Sequence, residues 1–133
     1  MKIQKQLSIF LQNRPGGLAK ICNTLADAGI NILAMAVHDT MDHAVIRLVC
    51  DHHIKALLLL EQEGLYLLEQ DVMTVSLDNR PGALAEIAQK LGRADVNIDY
   101  AYCSTAEHNE RGCLVLKVDD MDRAQELLRD CPE

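Results

Sequence analysis

NRPGGLAKI, residues 13–21, returns as NRPGALAEI at residues 79–87. The match reaches well beyond this turn. At the same offset of 66 residues, Leu25, Ala28, Asn31 and Ile32 recur as Leu91, Ala94, Asn97 and Ile98. After a slip of two residues, placed in a hairpin, Asp51, Lys55, Ala56, Leu59 and Leu60 face Asp119, Arg123, Ala124, Leu127 and Leu128. Self-similarity at a fixed spacing is the mark of a duplicated structural unit.

Working outward from the turn, each copy reads alike. Leu7, Ile9 and Leu11 alternate with polar or outward residues, as do Met73, Val75 and Leu77; period two predicts a strand with one face in the core. After the turn, Leu18, Ile21, Cys22 and Leu25, mirrored by Leu84, Ile87, Ala88 and Leu91, follow helical spacing. Residues 31–38 and 97–104 predict second strands, residues 38–43 and 105–111 polar hairpin loops, and residues 44–50 and 113–118 third strands. Asp51 and Asp119 are placed to cap second helices. Gly64 ends that helix in the first copy, and residues 65–70 form its fourth strand. In the second copy the helix runs to about Asp130, and Cys131-Pro132-Glu133 stands where the fourth strand is due.

The expected fold class is therefore α+β: two ferredoxin-like βαββαβ domains, residues 1–70 and 71–133. Each has an antiparallel sheet with its helices on one face, and the second lacks its final strand. That omission predicts a bare edge at residues 72–78. Bare edges tend to be covered or paired, so a second chain, as in a homodimer, is expected to supply the pairing.

Composition narrows the function. Of 133 residues 49% are hydrophobic and 25% charged, which is globular. A net charge of -7, no Trp and a single Phe leave little with which to grip phosphates or stack bases, so no nucleic-acid partner is expected. The longest apolar run, residues 56–60, is too short to cross a bilayer. The N-terminus alternates rather than forming the continuous apolar segment of a signal peptide. Five scattered cysteines without a Cys-x-x-Cys pair read as free thiols of a cytoplasmic protein.

The turn itself has two readings. Asn, Pro and Gly before a helix are good helix-start chemistry. A helix N-terminus also offers free N–H groups and the positive end of a dipole, which suit a carboxylate. Gly16 and Gly82 would let a ligand approach the backbone. Helix-start chemistry leaves Asn31 and Asn97 unexplained at the entry to the second strands. Asparagine donates and accepts without net charge, so a pair of them can hold both ends of a small zwitterion.

Asn-Arg-Pro-Gly, then Leu-Ala, then an apolar helical stripe, then Asn-Ile opening a strand, resembles the ACT domain in both copies and across nearly the whole chain. The nearest likeness is to the serine-sensing domain of phosphoglycerate dehydrogenase. The resemblance implies a non-catalytic regulatory protein that binds a free amino acid where two such domains meet. It implies ligand contacts from Asn13, Pro15, Gly16, Gly17, Leu18 and Asn31, and from Asn79, Pro81, Gly82, Ala83, Leu84 and Asn97. Asn13 would work with Asn97, and Asn79 with Asn31. Arg14, Arg80 and Asp99 are secondary candidates, as are Leu11 and Leu77. These two leucines stand where the serine-sensing family has a His, and so favour a more apolar ligand than serine. With no attached catalytic domain, any regulated enzyme would be a separate, unidentified partner chain.

Two rivals remain. His38, Asp39, Asp42 and His43, with His52 and His53 nearby, supply metal-binding side chains, but their spacing matches no defined motif, and no metal or other cofactor is expected. No Ser or Cys carries the local signature of an activated nucleophile, and no catalytic residue is assigned. A protein-interaction module without a ligand is the main alternative.

Overall fold

The computed structural model describes residues 1–133, with elements in the order β1 (Lys2–Gln12), α1 (Gly17–Asp27), β2 (Ile32–Thr40), β3 (His43–Cys50), α2 (His53–Gln62), β4 (Tyr66–Asp78), α3 (Ala83–Arg93), β5 (Ile98–Ser104), β6 (Arg111–Val118) and α4 (Met121–Leu127). The chain divides into two compact units, Lys5–Gln70 and Met1–Gln4 with Asp71–Glu133. No helix is long and apolar enough to cross a membrane.

In the unit Lys5–Gln70 the strand order is β2-β3-β1-β4, the last contributing residues 66–70. β1 and β3 pair antiparallel with Leu7 opposite Leu48 and Ile9 opposite Ile46. These four side chains point the same way and meet Ile21 and Leu25 of α1 and Ala56 and Leu60 of α2 in one core. Both helices therefore cover one face, as the alternation and helical spacing require. Leu18 belongs to the helical stripe by sequence but stays exposed.

The other unit repeats the plan. Its order is β1-β4-β6-β5, with β1 contributing residues 2–4. Met73 and Val75 of β4 lie beside Leu116 and Leu114 of β6. Together with Ile87, Leu91, Ala124 and Leu128 they form its core. Leu84, the counterpart of Leu18, is again exposed, and Ala83 is buried in its stead.

Three expectations are corrected. Residues 38–40 are not loop: β2 and β3 pair out to Thr40 opposite His43, leaving a two-residue turn at Met41-Asp42. The longer connection, residues 105–110, is in the second copy, so the insertion does fall in the hairpin. The expected strands at 65–70 and 73–78 are one 13-residue strand, β4, with no linker between the copies.

The third correction concerns the edge at residues 72–78, which is not bare. The chain's own N-terminal residues occupy it: Gln4 Nε2 donates to Thr74 Oγ1 at 2.9 Å, and Thr74 Oγ1 donates to Lys2 O at 3.4 Å. The Met1 ammonium donates to Cys131 O, and the tail closes back through Ser76 N–H to Pro132 O at 3.0 Å. The inference of a second chain from a bare edge falls with it.

Candidate functional site

Each Asn-Arg-Pro-Gly turn joins the end of a strand to the start of a helix, but not in the way helix-start chemistry suggests. The caps are Gly16 and Gly82, both left-handed at φ 86° and 89°, and neither helix receives a side-chain cap. A side chain strains such a backbone, which accounts for glycine at this position in both copies. The asparagines stand three residues earlier and tie the turn to the neighbouring hairpin. Asn13 N–H donates to Asp42 O at 3.1 Å, and Asn79 N–H to Glu110 O at 2.8 Å. Asn79 adds its side chain, whose Nδ2 donates to Ala106 O at 3.1 Å and Asn109 O at 2.8 Å. That anchor holds the longer loop of the second copy.

Asn31 and Asn97 have a main-chain role of their own. Asn31 N–H donates to Asp51 Oδ1 at 3.0 Å, and Asp51 N–H returns a bond to Asn31 O at 3.2 Å. Asn97 and Asp119 make the same clasp at 2.9 and 3.1 Å. The two aspartates thus hold strand entries rather than cap helices, contrary to the expectation. α2 follows His52, whose side chain makes no cap, and α4 is capped by Asp120, which accepts from Arg123 N–H at 3.0 Å. Asn97 also donates its Nδ2 to Asp99 Oδ1 at 3.0 Å, and Asp99 lies 3.9 Å from Lys117.

Around the first turn the unit Lys5–Gln70 opens into a cavity of about 610 Å³. That falls within the ~300–1,000 Å³ of small-molecule clefts. Its wall brings together the end of β1 (Phe10, Leu11, Gln12), the turn (Arg14 to Gly17), the first turns of α1 (Lys20, Ile21), His43, and residues 63–66 after α2. The Phe10 and Tyr66 rings meet at 5.5 Å. Of the residues singled out by sequence, Leu11, Arg14, Pro15, Gly16 and Gly17 line this space; Asn13, Leu18 and Asn31 do not.

The cavity wall carries two cations, Arg14 and Lys20, and one carboxylate, Glu63. Arg14 and Lys20 make no ion pair, and the first turn of α1 carries no acidic residue. The helix dipole and two cations therefore face the same space. Glu63, also in the wall, pairs with neither cation: its Oε1 accepts from Thr24 Oγ1 at 2.5 Å while Oε2 is buried without a partner. The Thr24 hydroxyl also points at Lys20 O, 2.9 Å away. It has one hydrogen for two acceptors.

The second turn is different. Arg80 donates to both carboxylate oxygens of Glu86, at 3.0 and 2.9 Å. That pairing raises the guanidinium's pKa and lowers the Glu86 carboxyl's. Asp78 is paired with Arg111 at 2.5 Å. The space here is about 170 Å³, lined by Leu77, Asn79, Arg80, Ala83 and Leu84 with Cys103, Cys113 and their neighbours; Pro81, Gly82, Asn97 and Asp99 lie outside its wall. Burial raises the Cys113 thiol's pKa. No group of three or more His, Cys, Asp or Glu side chains is placed to hold a metal ion, so His38, Asp39, Asp42, His43, His52 and His53 form no such cluster.

Sequence reasoning missed Phe10, Lys20, Glu63 and Tyr66 as parts of this wall. The available signal was the difference between copies. Lys20 aligns with Glu86, and Glu63, at the hairpin-corrected offset, with Cys131.

The model of the ACT domain pair family matches residues 1–130. Among solved structures, protein BT0572 from Bacteroides thetaiotaomicron is similar at 31% identity over 96% of this chain and 88% of that one, with a TM-score of 0.90. The ligand-free regulatory subunit of aspartate kinase from Thermus thermophilus is similar at 18% identity over 97% and 96% of the two chains, TM-score 0.74. Its Thermus flavus counterpart is similar at 21% identity over 96% and 90%, TM-score 0.67. No curated protein matches.

Proposed function

The chain belongs to the ACT domain pair family over residues 1–130, and on that premise we propose that it is a non-catalytic regulatory protein that binds a free amino acid. The observation that carries the proposal is the cavity at the first Asn-Arg-Pro-Gly turn, where an uncapped helix start, Arg14 and Lys20 face an apolar wall. A carboxylate on an apolar body suits that surface. The fold shared with regulatory subunits of aspartate kinase agrees with a regulatory role.

Binding alone sends no signal. The ligand must prefer one of two states of the protein, and the response is limited by that difference in affinity. An enzyme supplied by another chain is the natural recipient, in a cytoplasmic setting. β2 is an outer strand with Leu33 and Val37 exposed, and homodimerisation along it is part of the proposal. Those exposed apolar residues equally suit a pairing module that binds no small molecule.

Thermal unfolding with each common amino acid in turn separates the two readings, with Arg14→Ala and Lys20→Met variants alongside. A ligand of the folded state raises the midpoint. A rise with one or a few amino acids, reduced in the variants, supports the sensor; no rise at millimolar concentration leaves the pairing module.

A further inference from the structure

The two copies of the turn carry opposite charge patterns. In the second copy Arg80 is held by Glu86 and Arg111 by Asp78, so every charge at the turn is answered within the chain. In the first copy the positions of Asp78 and Glu86 are Gln12 and Lys20, which removes both carboxylates and adds a cation. Arg14 and Lys20 are left without an acidic partner beside a helix start that has none either. The single carboxylate in the cavity wall, Glu63, forms no ion pair with them, and its Oε2 is buried and unpartnered. A buried carboxylate oxygen without a donor is costly to keep, and the groups that answer it best are cationic N–H donors. Its counterpart in the second copy is Cys131, and Lys90 stands where Thr24 supports Glu63.

We propose that the first-copy cavity receives one apolar α-amino acid per chain. Glu63 takes the ammonium, and Arg14, Lys20 and the N–H groups opening α1 take the carboxylate. The side chain lies against Phe10, Leu11 and Tyr66. The second copy is sealed by its own ion pairs and takes no ligand. This rests on the amino-acid reading above and adds to it the site, the orientation and the number bound.

Cations and a carboxylate that share one apolar wall without pairing select for a zwitterion. An apolar acid without an amino group meets Arg14 and Lys20 but leaves Glu63 unanswered. An apolar amine does the reverse and faces the two cations. Glu63→Gln keeps the shape and an acceptor for the Thr24 hydroxyl while removing the charge, so it isolates ammonium recognition from packing.

The test is isothermal titration calorimetry on the full chain. Leucine, isoleucine, valine, methionine and phenylalanine are titrated, with 4-methylpentanoate and 3-methylbutan-1-amine as leucine lacking its amino or its carboxyl group. The expected result is one site per chain for at least one of the five amino acids, and much weaker binding of the acid and the amine. Glu63→Gln should weaken the amino acid about 10- to 100-fold, the cost of losing a hydrogen bond to a charged group, and leave 4-methylpentanoate unchanged or tighter. Lys20→Met, at an exposed position, should weaken amino acid and acid alike and spare the amine. Arg80→Met should change nothing.

Amino-acid binding indifferent to both Glu63→Gln and Lys20→Met would overturn this site and orientation while leaving an amino-acid sensor in place. Two sites per chain, or a response to Arg80→Met, would overturn the sealed second copy. Binding confined to polar amino acids would overturn the apolar class. A protein that binds no amino acid at all fails the broader reading, and this one with it.

Discussion

Deleting residues 1–4 tests whether the N-terminus completes the sheet of the unit that contains residues 71–133. The deletion removes the Gln4–Thr74 bond of 2.9 Å, the weak Thr74–Lys2 bond of 3.4 Å, and the Met1 ammonium's bond to Cys131 O. One good neutral bond contributes about 1 kcal/mol, one to a charged group about 2, and the long bond little, so the loss comes to ~3 kcal/mol. Thr74, only 5% exposed in the intact chain, gains access to water, which trims the figure toward ~2 kcal/mol. Urea unfolding of the truncated and intact chains measures the difference. Hydrogen exchange should show the protection loss in β4, β6 and α4, with the core of Leu7, Ile9, Leu25 and Leu60 largely spared. The exposed edge should also promote concentration-dependent association, visible in light scattering. A truncated chain within about 0.5 kcal/mol of the intact one, the range of inert surface changes, would refute the reasoning. So would a protection loss centred on β2 and β3.

Three further outcomes follow from the turns. Gly16→Ala should cost about 1–2 kcal/mol in thermal unfolding through backbone strain alone, because φ is +86° and a new Cβ meets nothing within 4 Å. Gly17→Ala should cost less than that: its backbone is not left-handed, and the new Cβ meets the far end of the Leu11 side chain at 2.9 Å and Gln12 O at an ordinary 3.9 Å. At the second turn, the depressed Glu86 carboxyl contributes stability that is present above its unfolded-state pKa and is lost as pH falls through its folded value. A carbon-detected NMR titration should place its midpoint below the ordinary 4.5, and Arg80→Ala should return it there; an unchanged midpoint would contradict the pair.

Much of this architecture was legible because it is local. Period-two apolar residues at Leu7 and Ile9 and helical spacing at Ile21 and Leu25 are written in consecutive sequence, and the copies repeat them. What escaped was whatever depends on distant chain. Residues 2–6, Lys-Ile-Gln-Lys-Gln, carry a single apolar side chain and give no sign that the first of them serve residues 71–133. The continuity of β4 was hidden by Gln70-Asp71, which read as a boundary although an edge of polar side chains is compatible with a strand. Asp51 looked like a cap because it precedes a helix, yet its carboxylate turns to the backbone of Asn31, twenty residues back. In the site, the turn was conspicuous through repetition. Glu63 was inconspicuous for the opposite reason: it is where the copies differ, just past the end of α2, at a position filled by Cys131 in the other copy.

The sharing of β1 and β4 makes the two copies inseparable by cutting. Residues 66–70 finish one unit and residues 71–78 begin the other, while residues 1–4 and 5–12 of β1 are divided the opposite way. Any single break between the copies severs a continuous strand and leaves residues 71–133 without their fourth. Met1 finds its partner at Cys131, 130 residues along the chain. A loop that long closes late and slowly compared with a hairpin. The first residues of the chain are therefore among the last to find their place. A protease that nicks the middle of β4 destroys both copies' sheets at once, and a gene fragment encoding one tidy repeat would yield an incomplete fold.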